Sequence, residues 1–139
     1  MPYGIYVLEG GAATRGDLVR SCLPEEPSAL ALARGYVASG PCPYGTAYLL
    51  KRIAGAGGDS VSVTTSGTYV NGSLLPRSAP LVRDRAERAM PVAWGHHALP
   101  QGSVWLYSDR SERSFDSRYY GPLPDTLLRG RMRPAWTWE

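Results

Sequence analysis

The chain has 139 residues, a formal net charge of +3 at pH 7 and 43% hydrophobic residues, which fits one domain over 1–139 with a real core but not two. That hydrophobic content excludes a disordered chain, and no apolar run in the sequence approaches the roughly 18 residues a membrane-crossing helix needs. Positive charge is spread along the chain rather than gathered with stacking aromatics, so no nucleic-acid partner is expected, and the arginine-rich runs 83–88 and 129–133 read as solvated surface.

In chain order, short runs of β-forming residues broken by Gly, Pro, Asn and Asp predict strands over 4–8, 18–22, 47–53, 60–64, 68–70, 104–108 and 129–136. Twelve prolines scattered among them argue against long helices. One helix is predicted, over 27–34: Glu25 and Glu26 suit its positive end, Pro27 its first turn and Gly35 its stop. It lies between Cys22 and Cys42, which are 20 residues apart, outside any Cys-x-x-Cys unit and without a cluster of histidine partners. Metal binding is therefore not expected. The two cysteines are either buried free thiols or a disulfide pinning a helical insert over 23–42, and the disulfide is the favoured reading. A bridge of that span contributes on the order of 3 kcal/mol and implies an oxidising compartment. Asn71-Gly72 marks a tight hairpin turn. Residues 77–103 read as a looser stretch in which His96 and His97 are solvated rather than ligating. The fold class is mainly β, a coiled antiparallel structure with one small helical insert.

Fourteen of the fifteen basic residues are arginine; the exception is Lys51. Codon bias with one chance survivor would give this pattern. So would a position where arginine cannot serve, because arginine does not give up its proton whereas a desolvated lysine becomes a neutral amine and a base. Tyr48, Leu49, Leu50 and Ile53 flank Lys51 and offer the apolar setting that such a shift requires. A second dense segment, 107–121, packs acids, arginines and serines behind a strong strand and reads as a polar turn with its own ion-pair network.

Together these segments resemble the type I signal peptidases. The resemblance rests on Lys51-Arg52-Ile53-Ala54-Gly55-Ala56-Gly57-Gly58-Asp59, on Ser114-Phe115-Asp116-Ser117-Arg118, on Arg15-Gly16-Asp17-Leu18-Val19 before the lysine, and on Asn71-Gly72 after it. It covers residues 1–134. The branch most similar is that of the conjugative-transfer TraF-type peptidases, through Met1-Pro2-Tyr3-Gly4-Ile5-Tyr6, Ser21-Cys22, and Arg34-Gly35-Tyr36 followed by Gly40-Pro41-Cys42. Ser108 and Arg110-Ser111 depart from the family pattern, so the first half of that loop is expected to be built differently.

The resemblance implies the β fold that signal peptidases share with LexA-type repressors, a Ser–Lys dyad without cofactor or metal, and Lys51 as general base. Ser114 would orient the lysine, and Asp116 and Arg118 would support the loop, with Arg118 or Arg52 paired to Asp116. Met1, Pro2 and Tyr3 would contact substrate, a signal peptide, pilin or other preprotein with small residues before the cut. In the family the nucleophile is the serine just before Met-Pro and follows a membrane anchor. The expectation is thus a catalytic domain on the periplasmic side of the inner membrane, lacking anchor and nucleophile and inert as written. The acyl-enzyme would pass to water, or to an amine terminus with cyclisation. Two other readings are a non-catalytic binding module of a secretion or pilus complex, using the Trp-rich end 134–138, and a LexA-like self-cleaving regulator cut at Ala54-Gly55 or Ala56-Gly57.

Overall fold

The computed structural model describes residues 3–111 and 113–138, apart from the side chains of 3 and 136–138. Met1, Pro2 and the Tyr3 side chain, expected to contact substrate, lie outside the described residues, as do the side chains of Trp136 and Trp138.

The strands are β1 (Tyr3–Glu9), β2 (Leu18–Ser21), β3 (Leu49–Ala56), β4 (Ser60–Thr64), β5 (Gly67–Val70), β6 (Ser73–Leu74), β7 (Gly95–Ala98), β8 (Ser103–Tyr107), β9 (Leu123–Pro124) and β10 (Leu128–Trp138); the helices are α1 (Glu25–Arg34) and α2 (Ser117–Tyr120). They form a six-stranded sheet in the order β1-β10-β2-β3-β8-β9 and a four-stranded sheet in the order β6-β5-β4-β7. Every strand pairing is antiparallel, which bears out the expected fold class.

The core has two parts, and β3 and β8 serve both. Along β8, Val104 and Leu106 join the cluster of Val19, Leu23, Leu49, Ile53 and Phe115, whereas Trp105 between them joins Ala54, Val61, Val63, Val70 and Leu99. A strand buried on both faces reads as a continuous apolar run, and Val-Trp-Leu does. On β3 the register slips between Ile53 and Gly55. Ala54 is the extra residue of this bulge; alternation turns it to the second cluster while Ile53 faces the first, and beyond it the phase of the strand is reset.

α1 begins two residues earlier than predicted, because Glu25 and Glu26 form part of its first turn and Pro27, lacking an N–H, is tolerated beside them. It ends at Gly35, whose left-handed φ of 73° lets its N–H reach back to the carbonyls of Ala31 and Leu32. Beyond it the insert closes in a narrow neck: Ala47 N–H donates to Ala38 at 2.8 Å, and Gly40 N–H to Gly45 at 2.9 Å. Gly40 is required there because a Cβ would fall onto the backbone of Ala47. Cys42 lies in this neck and forms a disulfide with Cys22, just past β2. The Asn71-Gly72 turn is also as predicted, with φ of 50° and 84°.

The stretch 77–103 is more ordered than its composition suggests. Residues 95–98 form β7, which pairs with β4 through His97↔Val61 and His96↔Ser62. His96 is exposed, while His97 Nε2 lies 2.8 Å from the Ala93 carbonyl and its ring packs 5.2 Å from that of Trp105. Both histidines are absorbed by the sheet edge.

Replacing Cys22 and Cys42 by serine frees the 20-residue insert and is expected to lower stability by about 3 kcal/mol. Urea denaturation checks this, and reducing agent should mimic it in the wild type.

Candidate active site

Strand alternation places Lys51. Leu49, Lys51 and Ile53 share one face of β3, and Leu49 and Ile53 belong to the first core cluster. On β2 the residue paired with Lys51 is Val19, which is fully buried. Lys51 is consequently only 8% exposed. Burial pushes its ammonium below the ordinary lysine pKa of 10.5; the charge of Asp116 opposes that shift, and those of Arg118 and Arg110 add to it. No acid among the described residues forms an ion pair with it.

On its other side Lys51 is bordered by the chain leaving β8. The last pair of that ladder is Arg52↔Tyr107, which brings Ser108 alongside Lys51. Ser108 N–H donates to Asp116 Oδ2 at 3.2 Å. Asp116 caps α2 and is fully buried, as is Arg118 at 1% exposure. Their pairing is bidentate: Arg118 Nε donates to Oδ1 and Nη2 to Oδ2, both at 2.8 Å. The same guanidinium donates to the carbonyls of Arg77 at 3.2 Å, Ala79 at 3.4 Å and Ser108 at 3.2 Å. Ser117 Oγ accepts from Leu106 N–H at 2.9 Å, fixing α2 to the middle of β8. The result is a buried amine next to a rigid, desolvated ion pair.

Peptidase S26 signal peptidases share a family model that matches residues 4–138. The chain belongs to that family. It is similar to the plasmid transfer protein TraF of Escherichia coli, 37% identical over 140 residues that cover 99% of this chain and 79% of that protein. It is also similar to the conjugal transfer protein TraF of Agrobacterium fabrum, 36% identical over 126 residues covering 89% and 69%. Among solved structures, a signal peptidase I from Enterococcus faecalis matches with a TM-score of 0.50 over 87% of this chain and 97% of its own, at 18% identity, a likeness of fold. The resemblance carried by the sequence motifs is therefore borne out, and the chain has the fold of a family of proteases.

Within this family frame, the structure brings Lys51, Asp116 and Arg118 into one neighbourhood. Ser114 is half-buried at the turn before them, its N–H donating to Ser111 at 3.1 Å; among the described residues no hydrogen bond joins it to Lys51. Arg52 is not a partner of Asp116: alternation turns it to the exposed face, where Nη1 donates to Gly16 at 2.7 Å. The unusual first half of the loop is held by Ser108, whose Oγ accepts from Arg110 N–H at 3.3 Å, and by Arg77, which donates to the Arg110 carbonyl at 3.3 Å. Sequence reasoning missed the part that 77–79 plays, because main-chain carbonyls leave no mark in residue identity.

Three outcomes are expected. Arg118→Met leaves the Asp116 carboxylate buried without its counter-charge and should cost about 3–5 kcal/mol in denaturant unfolding. For Lys51, the unfolded chain binds the proton more tightly than the folded one, so stability should rise with pH between the lowered folded value and 10.5. Lys51→Met removes the penalty for burying an ammonium and should exceed wild type in stability at neutral pH, the gap narrowing as pH approaches 10.5.

Proposed function

We propose that this chain is the catalytic domain of a Ser–Lys signal peptidase acting in conjugative transfer. In this reading Lys51 is the general base, and the nucleophile is a serine directly ahead of Met1. The burial of Lys51 beside the Asp116–Arg118 pair is the observation that carries it: a lysine is useful as a base only when its amine is neutral near working pH. The names of the relatives, plasmid transfer and conjugal transfer proteins, support the conjugative setting.

Serine Oγ attacks the scissile carbonyl while Lys51 Nζ takes its proton. The proton passes to the leaving amine, an acyl-enzyme remains, and water releases it with Lys51 again as base. Ser114 orients the amine, and Asp116 and Arg118 keep the loop in place beneath it as positioning residues. The disulfide supports a site of action on the periplasmic side of the inner membrane, where an oxidised pair persists, with an anchor ahead of the domain. Substrates are preproteins or pilins presenting small residues before the cut.

The self-cleaving alternative finds little support. Ala54 and Gly55 are buried in the β3–β8 ladder beside the base, where neither can reach it as an extended substrate.

The test adds Ser ahead of Met1 and follows cleavage of a peptide with alanines before the cut. Activity should appear with the added serine, rise with pH as Lys51 loses its proton, and fall by about 10²–10⁴-fold in Lys51→Ala and Lys51→Arg. Ser114→Ala should lose about tenfold, the share of one hydrogen bond. Wild-type rates in Lys51→Arg would overturn the dyad.

A further inference from the structure

A concave feature of the molecule lies outside the Lys51 site. The C-terminal end of α1, the loop 83–90 and the turn 113–119 enclose a cavity of about 260 Å³. Its floor is apolar, made by Leu81, Met90, Phe115 and the ring of Tyr119, and five arginines surround it: Arg34, Arg83, Arg85, Arg88 and Arg113. Asp84 is the one acid in the lining among the described residues.

Part of the cationic rim is held in place by the protein's own hydrogen bonds. Asp84 Oδ1 accepts the N–H groups of Ala86 and Arg88, each at 2.9 Å, which folds 83–89 into a tight loop. Asp84 Oδ2 accepts Arg88 Nε at 2.7 Å and the Tyr36 hydroxyl at 2.7 Å. Arg34 is fixed from the other wall by a 2.8 Å bond to the Ala89 carbonyl. Burial alone would raise the pKa of the Asp84 carboxyl, but these hydrogen bonds from Tyr36 and Arg88, with the charge of Arg88, hold it well below the usual carboxylate range. It therefore stays ionised, and among the described lining residues one negative charge is set against five positive ones. Arg85 and Arg113 are exposed and have no side-chain hydrogen bond or ion pair among the described residues. Like charges gathered around a concavity raise the local concentration of anions, and guanidinium forks suit phosphate geometry.

We propose that this cavity is a binding site for a small organic anion, a phosphate monoester with an apolar body, whose phosphoryl group meets Arg85 and Arg113 while its apolar part covers Met90 and Phe115. Arg113 and Phe115 flank Ser114 in sequence, so the ligand would sit against the turn that carries Ser114. The proposal does not depend on peptidase activity, and its test involves none.

Phenyl phosphate is titrated into the 139-residue chain by calorimetry, with inorganic phosphate and benzyl alcohol as separate arms. One-to-one binding of phenyl phosphate is expected, at least about tenfold tighter than inorganic phosphate, with none detected for benzyl alcohol. The double variant Arg85→Gln/Arg113→Gln should weaken it by about tenfold or more, the share of charge-assisted bonds, with an unchanged thermal midpoint. Amide NMR shifts should centre on Arg85, Met90 and Phe115. The proposal is overturned if phenyl phosphate does not bind, if benzyl alcohol or inorganic phosphate binds as tightly, if the double variant binds as the wild type does, or if the shifts centre elsewhere.

Discussion

A guanidinium buried away from water is tolerated only where its charge and its donors are answered, and the way Arg118 meets that demand organises this molecule. Its fork closes on Asp116, and its remaining reach gathers the carbonyls of Arg77, Ala79 and Ser108. Three segments are thereby fastened at one point: the end of β8, the connection after β6 and the short helix α2. Ser117 adds a bond from the same helix to the Leu106 N–H in mid-strand. Such a network contributes less to net stability than to uniqueness of arrangement, because any displaced member leaves a buried polar group unanswered.

Lys51 depends on that arrangement. Its face of β3 is apolar and its neighbour on β2 is Val19, so desolvation lowers its proton affinity. The charge of Asp116 works against that effect by stabilising the ammonium, though burial outweighs it. Arg118, locked to that carboxylate, acts in the opposite direction. The ion pair thus lets a carboxylate brace the loop beside a buried amine while a neighbouring cation counters its pull on the ammonium.

Much of this could be read from the residues. The excess of arginine over lysine singled out position 51, and the alternation of Leu49, Lys51 and Ile53 fixes its face. Gly35 and Asn71-Gly72 announced a helix end and a hairpin because few other residues tolerate those backbone angles. What escaped was carried by contacts without a sequence signature. β7 is a strand because β4 supplies its partner, although Gly-His-His-Ala has little β character of its own. The four-residue α2 exists because Asp116 caps it and Arg118 is held from outside. The choice of Arg118 over Arg52 followed from which face of β3 looks inward, which proximity in sequence does not decide.

The bulge in β3 bears on how such a chain can change over generations. Because the register shifts between Ile53 and Gly55, the strand works as two half-strands of opposite phase joined at one point. Losing or gaining one residue there would invert every side chain on one half and expose a core that is now closed. Length variation among descendants should therefore collect in the neck of the disulfide-bound insert and in the 83–89 loop, leaving the spacing between Lys51 and Asp59 untouched.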